Sequence, residues 1–377
     1  MRLSDMHMAT QADLLKKMRR AMRQVVLFAL VLPMLLPAIA LHAQLAPSPD
    51  ASPVSNAPPP KPENDDEPMT TLKVDVNLVN LFFTVKDKSG ALIPHLTRDE
   101  CVVSEDKLPQ KLKSFQAEAN QPLTLGILLD TSGSQQRVLP LEQQFGSQFL
   151  DRVIKAKDEA FLISFDVDVD LLQDYTNSAR QLERAMNKAE INTAGGNGAA
   201  GIPGIGQGPV PSIGAPKGTL LYDAVYLSSN EKLSRETGRK AIIILTDGED
   251  QGSKVKLPVA IEAAQKANVI VYTIMIADRG FYGGFGFNGD SAMKRLSEET
   301  GGRMIDVGNN GKKLEAAFQQ IEDELRTQYV ATYTPTNSKV DGSYHKVAVE
   351  CKNGSSDKAE NLKVQVRKGY YAIAPAD

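Results

Sequence analysis

The stretch LTLGILLDTSGS, residues 123–134, decides the fold. From Leu123 to Leu129 it carries no charge and no in-out alternation, which is how a parallel strand buried on both faces reads. The run ends directly in Asp130-Thr131-Ser132-Gly133-Ser134. Polar side chains therefore stand at the carboxyl end of a strand, where open α/β sheets bind ligands. A second stretch, AIIILTDGED at residues 241–250, repeats the arrangement, with Ala241 to Leu245 running into Thr246-Asp247-Gly248-Glu249-Asp250. Two carboxylates are thus expected at one edge of one sheet.

Working outward, Phe161 to Phe165 and Val269 to Ile276 are further apolar runs that read as buried parallel strands. Helical spacing fills the intervals: Leu141, Phe145, Phe149 and Val153; Leu182 and Met186; Leu220, Ala224 and Leu227; Ile261 and Ala264; and Leu314, Phe318, Ile321 and Leu325. Strand-helix alternation of this kind predicts an α/β fold, a doubly wound and mainly parallel sheet with helices on both faces.

Between the two strand-end motifs, Gly218-Thr219-Leu220-Leu221 opens a helix with a hydroxyl residue. Together these segments resemble the von Willebrand factor type A fold, whose metal-ion-dependent adhesion site joins an Asp-x-Ser-x-Ser loop to a distant Thr and a distant Asp. The resemblance spans roughly 200 residues, and Asp130, Ser132, Ser134, Thr219 and Asp247 fill its five positions. It implies one divalent cation, with Ser132 and Ser134 as direct ligands, Thr219 direct or through water, and Asp130 and Asp247 acting mainly through bound waters. The flanking β segments resemble more narrowly a group of exported bacterial, especially acidobacterial, proteins related to this fold. Hydroxyl and carboxylate oxygens are hard ligands, so Mg²⁺ is expected first, with Ca²⁺ or Mn²⁺ as alternatives. Neutral hydroxyls leave the cation under-neutralised and open to a carboxylate from another molecule. Taken alone, Asp130 and its serines also read as a helix N-cap. Glu249 and Asp250 read as a solvated loop, with an outer shell of the metal site as the alternative, and Asp223 reads as a first-turn acid favoured by the helix dipole.

Enzyme readings fare worse, and no catalytic residue is assigned. An aspartic-protease turn needs Asp-Thr-Gly or Asp-Ser-Gly in two copies, whereas Ser132 separates Thr131 from Gly133 and no second copy exists. A Ser-His-Asp hydrolase lacks a nearby histidine, since beyond the N-terminal region only His95 and His345 occur. A metal-dependent hydrolase would need a general base beside the cation, and none is evident.

The flanks alternate as strands: Leu72, Val74, Val76 and Leu78 in one phase, Leu81, Phe83 and Val85 in the other, with a break near Val79. Cys101 to Val103, Leu112 to Phe115, Val347 to Cys351 and Leu362 to Val366 continue the pattern. Neither flank holds enough strands to stand alone, so the two are expected to pack as one small β-sandwich. That would bring Cys101 near Cys351, as a disulfide or as two buried thiols. A zinc site from these cysteines with His95 and His345 is disfavoured, because an extended strand puts His345 and Cys351 about 20 Å apart.

The first 43 residues carry a basic start, an apolar run from Val25 to Leu41 and small residues at Ala38, Ala40 and Ala43, the layout of an export signal. Uncleaved, the run would be a membrane anchor, the only membrane contact expected. Removing six basic and two acidic side chains takes the net charge from -3 to -7, which argues against nucleic acid as a partner. The expected organisation is a signal over 1–43, a Pro-rich acidic linker over 44–70, a β segment over 71–120, the α/β domain over 121–329 and a second β segment over 330–377. Glycine-rich insertions at 195–218 and 280–289 read as disordered or as rims of the metal face, the second offering Phe281, Tyr282, Phe285 and Phe287 for contact. The expected function is a periplasmic or secreted, cation-dependent protein-binding module, with an envelope scaffold stabilised by the cation as the alternative.

Overall fold

The computed structural model of the protein describes residues 78–117, 121–192, 218–277, 289–337, 339–353 and 360–372. The signal and linker expected over 1–70, and nearly all of both glycine-rich insertions with their four aromatic residues, lie outside the described residues. The N-terminal flank runs through β1 (Val79–Lys86), β2 (Cys101–Glu105), β3 (Leu108–Pro109) and β4 (Leu112–Ala117). Alternation follows: β5 (Leu123–Asp130), α1 (Leu139–Val153), β6 (Glu159–Phe165), β7 (Val169–Thr176), α2 (Ala179–Met186), α3 (Leu221–Leu227) and β8 (Arg239–Thr246). It continues through α4 (Leu257–Lys266), β9 (Ile270–Met275), α5 (Gly289–Thr300), β10 (Met304–Asp306) and α6 (Gly311–Arg326). The chain then returns to strands: β11 (Tyr329–Tyr333), β12 (Tyr344–Asn353), β13 (Glu360–Asn361), β14 (Lys363–Val366) and β15 (Gly369–Tyr371).

The central sheet has the order β10-β9-β8-β5-β6-β7, parallel except for the antiparallel edge strand β7. Every residue of β5, β8 and β9 is buried, as their unbroken apolar runs require. Phe149 of α1, Leu182 of α2 and Phe318 of α6 cover one face. Leu221 of α3, Ile261 of α4 and Leu296 of α5 cover the other, giving the doubly wound α/β fold. Gly126 in β5 makes room for Phe161, whose ring would stand 2.6 Å from a Cβ there. From β5 the chain moves outward through β6, whereas β8, β9 and β10 step the other way. The carboxyl ends of β5 and β8 therefore flank the switch point of the sheet, the place where open α/β sheets bind ligands in a crevice between loops.

The two flanks build one β-sandwich. One sheet has the order β14-β1-β11-β4 and the other β13-β12-β2-β3, with β15 also pairing to β12. Leu81, Phe83, Val103, Tyr329, Val349 and Tyr370 share its core. Cys101 and Cys351 are register partners of β2 and β12 and are joined in a disulfide. His345 lies on the same strand as Cys351.

Some expectations need correction. The break expected near Val79 falls at the edge of the described residues, since Leu72 to Val76 lie outside them; β1 itself turns Val79, Leu81, Phe83 and Val85 inward, while Leu78 is exposed. In α3 the buried apolar positions are Leu221, Ala224 and Val225 rather than Leu220 and Leu227, because the helix starts one residue later. Helix α5 and strand β7 escaped the sequence reading. Among the described residues, no helix is long and apolar enough to cross a membrane.

Candidate metal centre

Strand β5 delivers Asp130 to the crevice fully buried, and the turn after it brings Ser132 and Ser134 back over the strand end. Ser132 does not spend its hydroxyl on capping: its Oγ stands 3.0 Å from the Ser134 Oγ, and its backbone N–H donates to Asp130 Oδ1 at 3.0 Å. Asp130 Oδ2 accepts from the Thr246 hydroxyl at 2.6 Å, which ties the end of β5 to the end of β8. Asp247, the next residue, is likewise buried. Gly248 then takes a φ of +85°, and a Cβ there would lie 2.8 Å from the Met275 Cε, so the tight turn after Asp247 requires glycine.

Thr219 is buried on a separate loop. Its N–H and carbonyl exchange hydrogen bonds with Gln251, both 3.0 Å, pinning that loop to the one carrying Asp247. The next N–H, of Leu220, donates to the Asp166 carbonyl at 2.8 Å. The loops bearing Asp130, Thr219 and Asp247 thus meet at one sheet edge.

Electrostatics set the character of the crevice. Burial, and then the negative charge of Asp247, push the Asp130 carboxyl up to about 7. Glu142, on the first turn of α1, is fully buried and held well above the usual carboxylate range by burial, then by the charges of Asp130 and Asp247. Neither of its carboxylate oxygens has a hydrogen-bond partner. Such a group costs about 1–3 kcal/mol when left unpaired. Buried acids in mutual repulsion, beside two hydroxyls, form a hard-oxygen donor set short of positive charge, which fits a divalent cation.

Sequence reasoning missed Glu142, which looks like an ordinary acid near a helix N-terminus. It also missed Asp166, whose Oδ2 accepts from the Thr131 hydroxyl at 2.8 Å and whose Oδ1 accepts from the Asn192 side chain at 3.0 Å. Asp223 stands in the first turn of α3, as expected, and it also fastens a loop by accepting from the Lys254 and Val255 N–H groups at 3.0 and 2.9 Å. One other acid needs correction. Asp250, expected as a solvated loop acid, is half-buried and accepts from the Tyr222 N–H at 3.1 Å.

Residues 217–320 match the model of the von Willebrand factor type A domain, a span that includes Thr219 and Asp247 and begins after the Asp130 loop. No curated protein matches the chain. Among solved structures, BatB from Bacteroides thetaiotaomicron is 18% identical, with 54% of this chain and 98% of that one covered and a TM-score of 0.39. Proximal thread matrix protein 1 from the mussel byssus is 15% identical over 59% of this chain and 51% of its own, with a TM-score of 0.43. A von Willebrand factor type A protein from Catenulispora acidiphila is 9% identical, covering 77% and 73%, with a TM-score of 0.41.

Proposed function

We propose that this von Willebrand factor type A domain is an exported protein-binding module whose affinity depends on one divalent cation, held by Asp130, Ser132, Ser134, Thr219 and Asp247. The carrying observation is the pair of buried acids, Asp130 and Asp247, at the switch point of the sheet beside the Ser132 and Ser134 hydroxyls. The cation, Mg²⁺ first by ligand hardness, would supply a positive centre to which a partner's Asp or Glu carboxylate binds. Around it the chain's own groups hold the geometry: Thr246 and the Ser132 N–H fix Asp130, and Asp166 fixes Thr131. Export is supported by the N-terminal sequence and by a disulfide, which persists in oxidising compartments.

Capture of envelope proteins by wild type and by Asp130→Ala, each with and without EDTA, tests the reading. Capture is expected only for wild type without chelator; equal capture by a folded Asp130→Ala protein overturns it. The burial of three acids favours a second reading, in which the cation chiefly stabilises the fold. That reading predicts a cation-dependent melting temperature with no cation-dependent capture.

A further inference from the structure

On the β-sandwich, Glu105, Asp106 and His345 bring one potential ligand atom each within 4.8 Å of one another. His345 Nδ1 is 2.7 Å from Asp106 Oδ2 and 3.7 Å from Glu105 Oε1. Around a tetrahedral zinc ion, with bonds of about 2.0–2.2 Å, neighbouring ligand atoms stand about 3.3 Å apart. The two measured edges bracket that value, so small rotations of side chains close the set around a cation.

We infer that Glu105, Asp106 and His345 form a second cation site, selective for a borderline transition-metal ion of the Zn²⁺ type. The imidazole sets it apart from the all-oxygen crevice of the α/β layer, since imidazole suits zinc and its neighbours while oxygen-only sets suit Mg²⁺.

The supporting groups are in place. Glu105, at the end of β2, is 2% exposed, and its Oε2 accepts from the hydroxyls of Tyr333 at 2.7 Å and Tyr370 at 2.9 Å. Those bonds orient the carboxylate so that Oε1 is the atom turned to His345. His345 is 4% exposed, and the far nitrogen of its ring, Nε2, lies 3.0 Å from the Ser343 hydroxyl. Outer partners of this kind fix the ring orientation of metal-bound histidines. Asp106 sits in the two-residue turn between β2 and β3 with φ +48°, and Lys107 follows at +72°, a left-handed conformation uncommon for residues other than glycine. That turn folds the Asp106 side chain back onto β12, where its Oδ1 also accepts from the Lys346 N–H at 2.9 Å. Asp106 keeps a side-chain exposure of 48%, which gives an ion an entry path. For an ion to bind Nδ1, the neutral imidazole carries its one proton on Nε2, which then donates to the Ser343 hydroxyl 3.0 Å away, and Nδ1 and the Asp106 carboxylate both offer lone pairs to the ion.

Zinc calorimetry on the untagged, metal-stripped full chain tests the site, with Asp130→Ala included to silence the crevice. One equivalent of zinc is expected to bind Asp130→Ala, resisting a large excess of Mg²⁺. Adding His345→Gln, or Asp106→Asn on the exposed turn, is expected to weaken binding by more than about tenfold. With Co²⁺ as a probe, the visible spectrum is expected to report a site that disappears with either substitution. Absence of zinc uptake by Asp130→Ala, unchanged uptake in Asp106→Asn, or displacement by Mg²⁺ overturns the inference. Because the crevice is disabled throughout, none of these results bears on the protein-binding role.

Discussion

Asp130 accepts one hydrogen bond on each oxygen, yet it is buried beside Asp247, and repulsion with burial leaves its carboxyl raised to about 7. In the unfolded chain the same group ionises near its ordinary value of 3.8. Without cation, its contribution to stability is therefore fully present below about pH 4 and is lost as pH rises through about 7. Melting in EDTA is expected to occur at lower temperature at pH 8 than at pH 5.5, with Mg²⁺ closing the gap. Each kcal/mol moves the midpoint of a domain this size by about 2–4 °C. A flat profile in EDTA would show that the two acids are not coupled in the folded state. Glu142→Met separates stability from binding at the same crevice. Removing a buried carboxyl with no partner should stabilise the cation-free protein by about 1–3 kcal/mol in urea unfolding, while cation affinity falls because an acid that a bound cation would help to ionise is gone. Glu142 was not legible in the sequence, because its role comes only from the way α1 lies against the ends of β5 and β8. The strand-end positions Asp130 and Asp247 could be read to one sheet edge, because each closes an unbroken apolar run.

Among the elements, those that bury both faces or a full helical stripe announced themselves, and those that compromise did not. The run Ile242 to Leu245 in β8 and the stripe Leu314, Phe318, Ile321 and Leu325 in α6 are apolar without exception. Edge strand β7 has partly exposed side chains, and its register with β6 shifts between Ala160 and Ile163, where Leu172 is skipped between the paired residues Leu171 and Gln173 and the alternation breaks. Helix α5 buries Ser297 and Thr300 along with Met293 and Leu296, a face too polar to register as a stripe. The disulfide belongs to this scale, since it locks β2 to β12 across a sequence separation of 250 residues. Cys101→Ala with Cys351→Ala is expected to cost about 2–5 kcal/mol in chemical unfolding, because the cross-link restricts the unfolded chain. Equal stability of the double variant and wild type under oxidising conditions would contradict that.

Across the whole molecule, the chain leaves the sandwich at β4, builds the α/β layer and re-enters the sandwich at β11, in the middle of a sheet. One buried acid sits at the junction. Glu324 of α6 has no exposed side-chain surface; its Oε1 pairs with Lys86 of β1 at 2.8 Å and Arg303 at 2.9 Å, and its Oε2 accepts from Gln365 of β14 at 3.2 Å. Lys86 and Gln365 belong to the sandwich, whereas Glu324 and Arg303 belong to the α/β layer. A buried pair contributes little against an apolar substitute of similar volume, but stripping one partner leaves the other charges uncompensated and costs about 3–5 kcal/mol. Glu324→Ala should therefore lose that much stability. It should also convert one cooperative melting transition into two, the sandwich separating from the α/β layer, as read by calorimetry. Glu324→Ala combined with Lys86→Met should recover part of the loss, because the stranded ammonium is gone. If Glu324→Ala melts in a single transition at the wild-type midpoint, the two layers are held by their other contacts, among them the Arg367–Asn268 bond of 2.8 Å, and Glu324 carries no coupling between them.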